Sequence, residues 1–163
     1  MRFLVVALLA FGLLGQAGCS KFLTYDGPEV TRVVVMKSDR KLYLFNNDIM
    51  LKSYDIDLGF APEGHKIEEG DGRTPEGRYV IDRKNPNSAF HLSVGISYPN
   101  EEDRARAEEA GVSPGGDIFI HGGRRWGDRR GPDWTAGCIS VSNREIREIY
   151  SMVNVGTVID LLP

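Results

Sequence analysis

Cysteine is nearly absent from this chain, with Cys19 and Cys138 the only two among 163 residues. A disulfide scaffold is therefore not what stabilises it, and a chain of this length buries most of its apolar surface without one. An excess of one charge is also missing: 20 basic and 23 acidic residues leave a net charge of −3. That excludes the broad basic face of a nucleic-acid binder, and no nucleic-acid partner is expected. The apolar run Phe3–Leu14 is too short to span a bilayer. Histidine is scarce, and His65, His91 and His121 do not share with any acidic residue the spacing of a zinc site. The loop at Asp71-Gly72 lacks the alternating carboxylates of a calcium loop. No metal or cofactor is expected.

What is present reads as one β-rich domain. Apolar residues make up 41% and charged residues 26%, and the 19 glycines and 8 prolines imply many tight turns. Met1-Arg2 followed by the apolar run is the pattern of an export signal. Gln16-Ala17-Gly18-Cys19 then resembles the lipobox of bacterial lipoproteins, although Gln16 stands where an aliphatic residue is usual. The resemblance implies lipidation of Cys19, a periplasmic location and attachment to a membrane; Ser20 after the cysteine favours the outer one. The plainer reading is a secretory signal cut near Ala17, with Cys19 an incidental thiol. The expected division is a signal peptide over 1–18, a tether over 19–30 and a single folded domain over 31–163.

Along that domain, 31–36, 41–46 and 49–57 read as strands separated by polar turns. The stretch 59–77 is too dense in glycine (Gly59, Gly64, Gly70, Gly72, Gly77) for regular structure and reads as a long functional loop. Residues 77–83 and 90–97 read as further strands. Asn100 caps a helix over 101–110 that stops at Gly111. A short strand over 117–121 ends on His121. Ser142-Asn143-Arg144-Glu145 is a capping box opening a helix with Ile146, Ile149, Tyr150 and Val153 on one face. Residues 157–162 close the chain as a strand.

His121 and Cys138 carry the chemistry this sequence can offer. A thiol is a nucleophile as thiolate, and a neighbouring imidazole can take its proton. Glycines beside the cysteine allow backbone amides to approach a developing oxyanion. Spacing alone leaves open the plainer alternative, that Cys138 is a small buried core residue and His121 a strand-end residue. The surrounding motifs narrow this. His121-Gly122, Gly137-Cys138-Ile139 and Thr74-Pro75-Glu76-Gly77-Arg78-Tyr79 together resemble the L,D-transpeptidase catalytic domain. The hairpin Val33-Val34-Val35 to Leu42-Tyr43-Leu44 is similar to that family's first strands. Gly64-His65-Lys66, Gly70-Asp71-Gly72-Arg73, Ser97-Tyr98-Pro99-Asn100 and Asp133-Trp134-Thr135 resemble a murein L,D-transpeptidase subgroup of the Gram-negative envelope. Two positions depart from the pattern: Ala136 stands where most members carry a second histidine, and Ser140 where many carry Arg or Asn.

The resemblance implies a mainly β fold with a few helices, a β-sandwich-like catalytic domain. It implies attack by Cys138 on the carbonyl of residue three of a peptidoglycan stem peptide, with His121 as the only base. The Gly122 carbonyl would orient the imidazole, and the amides around Ala136, Gly137 and Cys138 would hold the oxyanion. Tyr98, Arg73, Arg124, Arg125, Trp134 and Thr135 are candidate substrate contacts, with Arg129 and Arg130 in the same basic segment. Tyr98 is equally readable as a packing aromatic, and the arginines as a solvated loop. His65 reads as a loop histidine and His91 as a structural strand residue. The thioester would pass to an amine or to water, so a hydrolase of the same fold, acting on stem peptides or on an envelope lipoprotein joined to peptidoglycan, stays open. A non-catalytic lipoprotein that binds peptidoglycan is the reading from another class. Papain-type hydrolases place the cysteine before the histidine, the reverse of the order here.

Overall fold

The structure, a computed structural model, describes residues 20–124, 127–128 and 131–163. The segment 1–18 expected to be a signal peptide, Cys19, Arg125, Arg129 and Arg130 lie outside the described residues. Eight strands and two helices follow in the order β1 (Arg32–Met36), β2 (Lys41–Asn46), β3 (Ile49–Asp55), β4 (Gly77–Asn85), β5 (Ser93–Ile96), α1 (Glu101–Ala110), β6 (Phe119–His121), β7 (Ile139–Ser140), α2 (Asn143–Met152) and β8 (Val158–Leu162). The strands form one curled sheet in the order β3-β2-β1-β8-β4-β5-β6-β7. Pairs β1/β8 and β6/β7 are parallel; the others are antiparallel. Strand β4 makes the curl. Its first half pairs with β8 and its second half with β5, with a register shift between Ile81 and Arg83 that bends the strand. The expected mainly β class with few helices holds.

Period-2 alternation builds the core. Val33, Val35, Leu42, Leu44, Ile81, Val94, Ile96, Ile120, Ile139, Ile159 and Leu161 are buried in a single cluster. Helix α2 closes it with Ile146, Ile149, Met152 and Val153. The Ser142 hydroxyl accepts the Glu145 amide, and the Glu145 carboxylate accepts the Ser142 amide. Helix α1 has no apolar stripe and buries only Asp103 and Ala107. A polar anchor holds it instead. The Asp103 carboxylate accepts from the Tyr79 hydroxyl (2.8 Å) and the Asn100 amide (3.0 Å), and it pairs with His65 Nε2 (3.1 Å) and Arg106 (3.2 Å). His65 thus ties the long loop to α1.

Three sequence expectations need correction. Residues 90–92 are not strand: His91 sits in a bend with φ 74°, in the left-handed region, and β5 begins at Ser93. Strand β7 has no counterpart among the expected elements. Residues 20–30 are not a free tether. Arg147 donates to the carbonyls of Lys21 (3.1 Å) and Ser20 (2.8 Å), Phe22 meets the Tyr150 ring at 6.1 Å, and Val30 is buried in the core.

The glycine-dense loop is ordered by buried charge. The Lys37 ammonium, almost fully buried, donates to the carbonyls of Gly64 and Thr74 and pairs with Glu76 at 2.7 Å. Burial pushes the Lys37 ammonium below its usual range against the opposing pull of Glu76. Asp71 accepts the amides of Ile67, Glu68 and Arg73 and pairs with the buried Lys66 at 2.8 Å. Burial alone would raise the Asp71 carboxyl; the Lys66 ammonium and the three amides outweigh it and hold the group below the usual carboxylate range.

Asp71→Asn removes one charge of that nearly buried pair and leaves Lys66 uncompensated. We expect a loss of about 2–4 kcal/mol in denaturant unfolding at pH 7 and faster tryptic cutting at Lys66. A depressed carboxyl pKa contributes stability above the unfolded value, about 3.9, and loses it as pH falls through the folded value. The wild-type advantage over the variant should therefore shrink below about pH 4; an advantage undiminished in acid would contradict this account.

Candidate active site

The site begins with β6 and β7. Their parallel register sets Ile120 beside Ile139 and His121 beside Ser140. Ile120 and Ile139 are fully buried in the core. Side chains alternate along a strand, so His121 and Ser140 face away from that core, and Cys138, one residue before β7, faces the same way. His121 and Cys138 are then diagonal neighbours on one face of this parallel pair.

The imidazole is held on three sides. Nδ1 lies 2.7 Å from the Gly122 carbonyl oxygen, which can only accept, so Nδ1 carries a hydrogen and in the neutral ring Nε2 carries the lone pair. Phe90 stacks on the ring at 4.4 Å, and Trp134 meets it edge-on at 5.7 Å. The Ser140 hydroxyl also donates to the Gly122 carbonyl, at 3.3 Å. The residue that departs from the family pattern thus buttresses the group that fixes the tautomer. Gly122 admits no side chain, since a Cβ there would lie 2.4 Å from the Phe90 carbonyl oxygen.

The cysteine turn is clamped by backbone contacts. Thr74 donates its hydroxyl to the Gly137 carbonyl (2.9 Å) and accepts the Gly59 amide (3.3 Å). Thr135 donates to the Cys138 carbonyl (2.7 Å) and accepts the Gly137 amide (3.1 Å). Gly137 has φ 132°, and a Cβ there would sit 2.7 Å from the Arg73 carbonyl oxygen. Asp133 fixes the start of the turn through two-pronged contacts with Arg40 and by accepting the Leu58 amide at 3.0 Å.

The expected site residues separate accordingly. His121, Gly122 and Trp134 come together, and the register of β6 and β7 sets Cys138 on the same face as His121. The Gly137 amide is occupied by the Thr135 hydroxyl, so it is not an open oxyanion donor as expected from the sequence. Among the described residues the amides of Ala136 and Cys138 have no hydrogen-bond partner, which leaves these two as the candidate donors. Thr135 is a buried turn residue and not a substrate contact. Tyr98 is buried against Tyr79 and donates to the Pro114 carbonyl at 3.0 Å, so it packs and does not reach the site. Arg73 lines a cavity of about 460 Å³ with Ala61, Ile67, Glu68 and Val112. Arg124 lies over Trp134, its guanidinium 5.4 Å from the ring centre. Phe90 and Asp117 went unnoticed in the sequence, and Thr74 and Asp133 were read only as parts of motifs, because each acts through contacts made far along the chain.

The thiol donates to the Asp117 carbonyl at 3.5 Å. Burial pushes its pKa up and the Asp117 carboxylate adds to this; the Phe119 amide and the Lys66 ammonium oppose them without reversing the direction.

Comparison with known proteins gives consistent matches. The YkuD family model, described as the L,D-transpeptidase catalytic domain, matches residues 30–161. Escherichia coli K12 YafK, itself named only provisionally as an L,D-transpeptidase, is 29% identical over 127 residues, covering 74% of this chain and 46% of its own length. The crystal structure of Pgp2 from Campylobacter jejuni, titled a helical cell shape determining protein, superposes with a TM-score of 0.65 at 26% identity, over 86% of this chain and 50% of that one. L,D-transpeptidase 1 of Mycobacterium tuberculosis shares the fold, with a TM-score of 0.52 at 15% identity over 81% of this chain and 60% of that one. The chain thus spans about half the length of YafK and of Pgp2.

A raised thiol pKa has a direct consequence for alkylation. The rate of Cys138 modification by iodoacetamide should rise with a midpoint above the ordinary thiol value of about 8.5. A midpoint below about 7 would instead reveal a preformed thiolate–imidazolium pair.

Proposed function

Because the chain belongs to the L,D-transpeptidase catalytic-domain family, we propose that it is a cysteine-dependent acyltransferase acting on peptidoglycan stem peptides. The observation that carries this reading is the arrangement of Cys138 and His121 on one sheet face, with the Gly122 carbonyl fixing the imidazole for proton acceptance at Nε2. From a neutral thiol the chemistry runs in balanced steps. The S–H turns from the Asp117 carbonyl toward Nε2, and sulfur attacks the carbonyl carbon of stem residue three as His121 takes the proton. The oxyanion faces the Ala136 and Cys138 amides. Collapse breaks the C–N bond to the terminal D-alanine, whose nitrogen receives the proton from His121 and leaves as amine. The thioester then acylates an acceptor amine, with His121 taking the amine proton and returning it to sulfur. With Ala136 in place of a second imidazole, His121 serves both halves. The likeness to Pgp2 supports a role in cell-wall remodelling and cell shape.

We further propose that the chain is exported and anchored by lipid on Cys19, supported by the apolar run and Ala17-Gly18-Cys19. Two or more acyl chains on one residue give stable anchoring.

Two measurements test these readings. Cys138→Ala should retain the wild-type melting profile and lose turnover of defined disaccharide-tetrapeptides by at least about a thousandfold; near-normal turnover would remove the nucleophile. Cys19→Ala should leave the membrane fraction for the soluble one; a variant that still sediments with membranes would refute lipid anchoring.

A further inference from the structure

The sheet face that bears the thiol carries a row of residues that acylation does not use. Register aligns Arg83 of β4 with Gly95 of β5, and Gly95 with Phe119 of β6. One step before the Ile120–Ile139 pair, that row ends at Cys138. Gly95 leaves the gap through which Arg83 crosses: a Cβ there would lie 2.7 Å from Arg83 Cγ and 2.5 Å from Asp82 Oδ1. The Arg83 guanidinium lies 4.5 Å from the Phe119 ring centre and pairs with Asp82 at 2.7 Å and Asp117 at 2.9 Å. Asp117 is also fixed at the sulfur by its backbone, whose carbonyl accepts the S–H at 3.5 Å. One guanidinium between two carboxylates leaves one negative charge unmatched. Asp117 is the more open of the two acids, its side chain 88% exposed against 31% for Asp82. Arg83 takes its Oδ1, and among the described residues its Oδ2 has no hydrogen-bond partner. The Lys66 ammonium, whose charge reaches the sulfur, is already held by Asp71 and by the Glu68 carbonyl. Along β6 the thiol therefore stands between a carboxylate that precedes it and an imidazole that follows.

A thioester on Cys138 passes to an amine or to water, and near neutral pH a primary amine is chiefly an ammonium. The imidazole does not attract a cation. An open carboxylate beside the sulfur does, and uncharged water gains nothing from it. We propose that Asp117 is a specificity-determining residue for the second half of the reaction: it gathers cationic acceptor amines at Oδ2 and so directs the thioester to aminolysis over hydrolysis. This rests on the acyl-transfer reading. The gathered ammonium gives one proton to bulk water, and its nitrogen attacks the thioester carbonyl carbon. His121 takes the second proton, the C–S bond breaks, and His121 returns that proton to the sulfur. A contact this exposed corresponds to about a threefold to fivefold preference, and salt weakens it.

Asp117 has φ 54°, a region that asparagine also adopts, so Asp117→Asn keeps the backbone turn and an acceptor for Arg83. The test reads how the thioester partitions, which is independent of any change in the thiol's own titration. With the full chain and a tetrapeptide donor, two acceptors compete with water: a disaccharide-tripeptide bearing a free ammonium, and hydroxylamine, uncharged at about pH 8. Asp117→Asn should lower the tripeptide-to-water product ratio about threefold to fivefold and leave the hydroxylamine-to-water ratio unchanged; Asp117→Glu should keep most of the wild-type ratio. Raising salt from about 50 mM to about 0.5 M should erase the wild-type advantage and leave Asp117→Asn unaffected. In the Cys138→Ala background, Asp117→Asn should weaken the calorimetric Kd for the tripeptide by the same factor. An unchanged tripeptide ratio, an equal fall with both acceptors, or a wild-type thioester that passes only to water overturns the proposal. Absent turnover with the Kd difference intact refutes the acyl-transfer reading and leaves Asp117 as the ammonium site; absent turnover with no Kd difference overturns both.

Discussion

Where the chain before β4 crosses the turn that carries Cys138, three backbone segments meet at distances that side chains would forbid. A Cβ on Gly59 would lie 2.0 Å from the Gly72 carbonyl oxygen and 2.9 Å from Gly137, and one on Gly137 would lie 2.7 Å from the Arg73 carbonyl oxygen. Thr74 and Thr135 satisfy the polar groups this approach buries. The close crossing holds the cysteine turn in place, so the position of Cys138 depends on a loop some sixty residues earlier. That loop in turn depends on Lys37, Lys66 and Asp71, buried charges whose paired hydrogen bonds replace the hydration they lose.

The imidazole side of the site follows a different logic. His121 is held by packing between Phe90 and Trp134 and by one carbonyl that selects its tautomer. Ser140 contributes to that carbonyl's environment from the neighbouring strand, so a position at variance with the family pattern has a local role here. Ala136, the other departure, is exposed and brings no side chain toward the thiol. The proposed proton transfer through one imidazole fits a thiol whose pKa burial raises, since charge formed during the proposed attack would fall where the amides can receive it.

Elements whose signals are local were legible in the sequence. Both helices begin at their capping boxes, α1 stops at a left-handed glycine, and β2 spans the residues its alternation marks out. The mainly β class followed from turn density and alternation. Strand β7 escaped because its two residues become strand only by pairing with β6 and with Asp57, partners 19 and more residues away in the chain. Residues 90–92 alternate like a strand, yet His91 turns into the left-handed region where the Phe90 carbonyl reaches the Gly122 amide.

By itself, then, the sequence determined which residue types were available for chemistry: one cysteine within the domain, one histidine at a strand end, and glycines beside both. These follow from composition and short-range pattern, which local sterics and capping translate directly into structure. Tertiary structure alone decided that the Gly137 amide is taken by Thr135, that Tyr98 packs inward, that the thiol rests on Asp117, and that Asp57 meets Arg124 at 3.6 Å. Each of those facts depends on which distant backbone groups and charges the curled sheet brings within a few ångströms, and hydrogen bonding and desolvation act only over such distances.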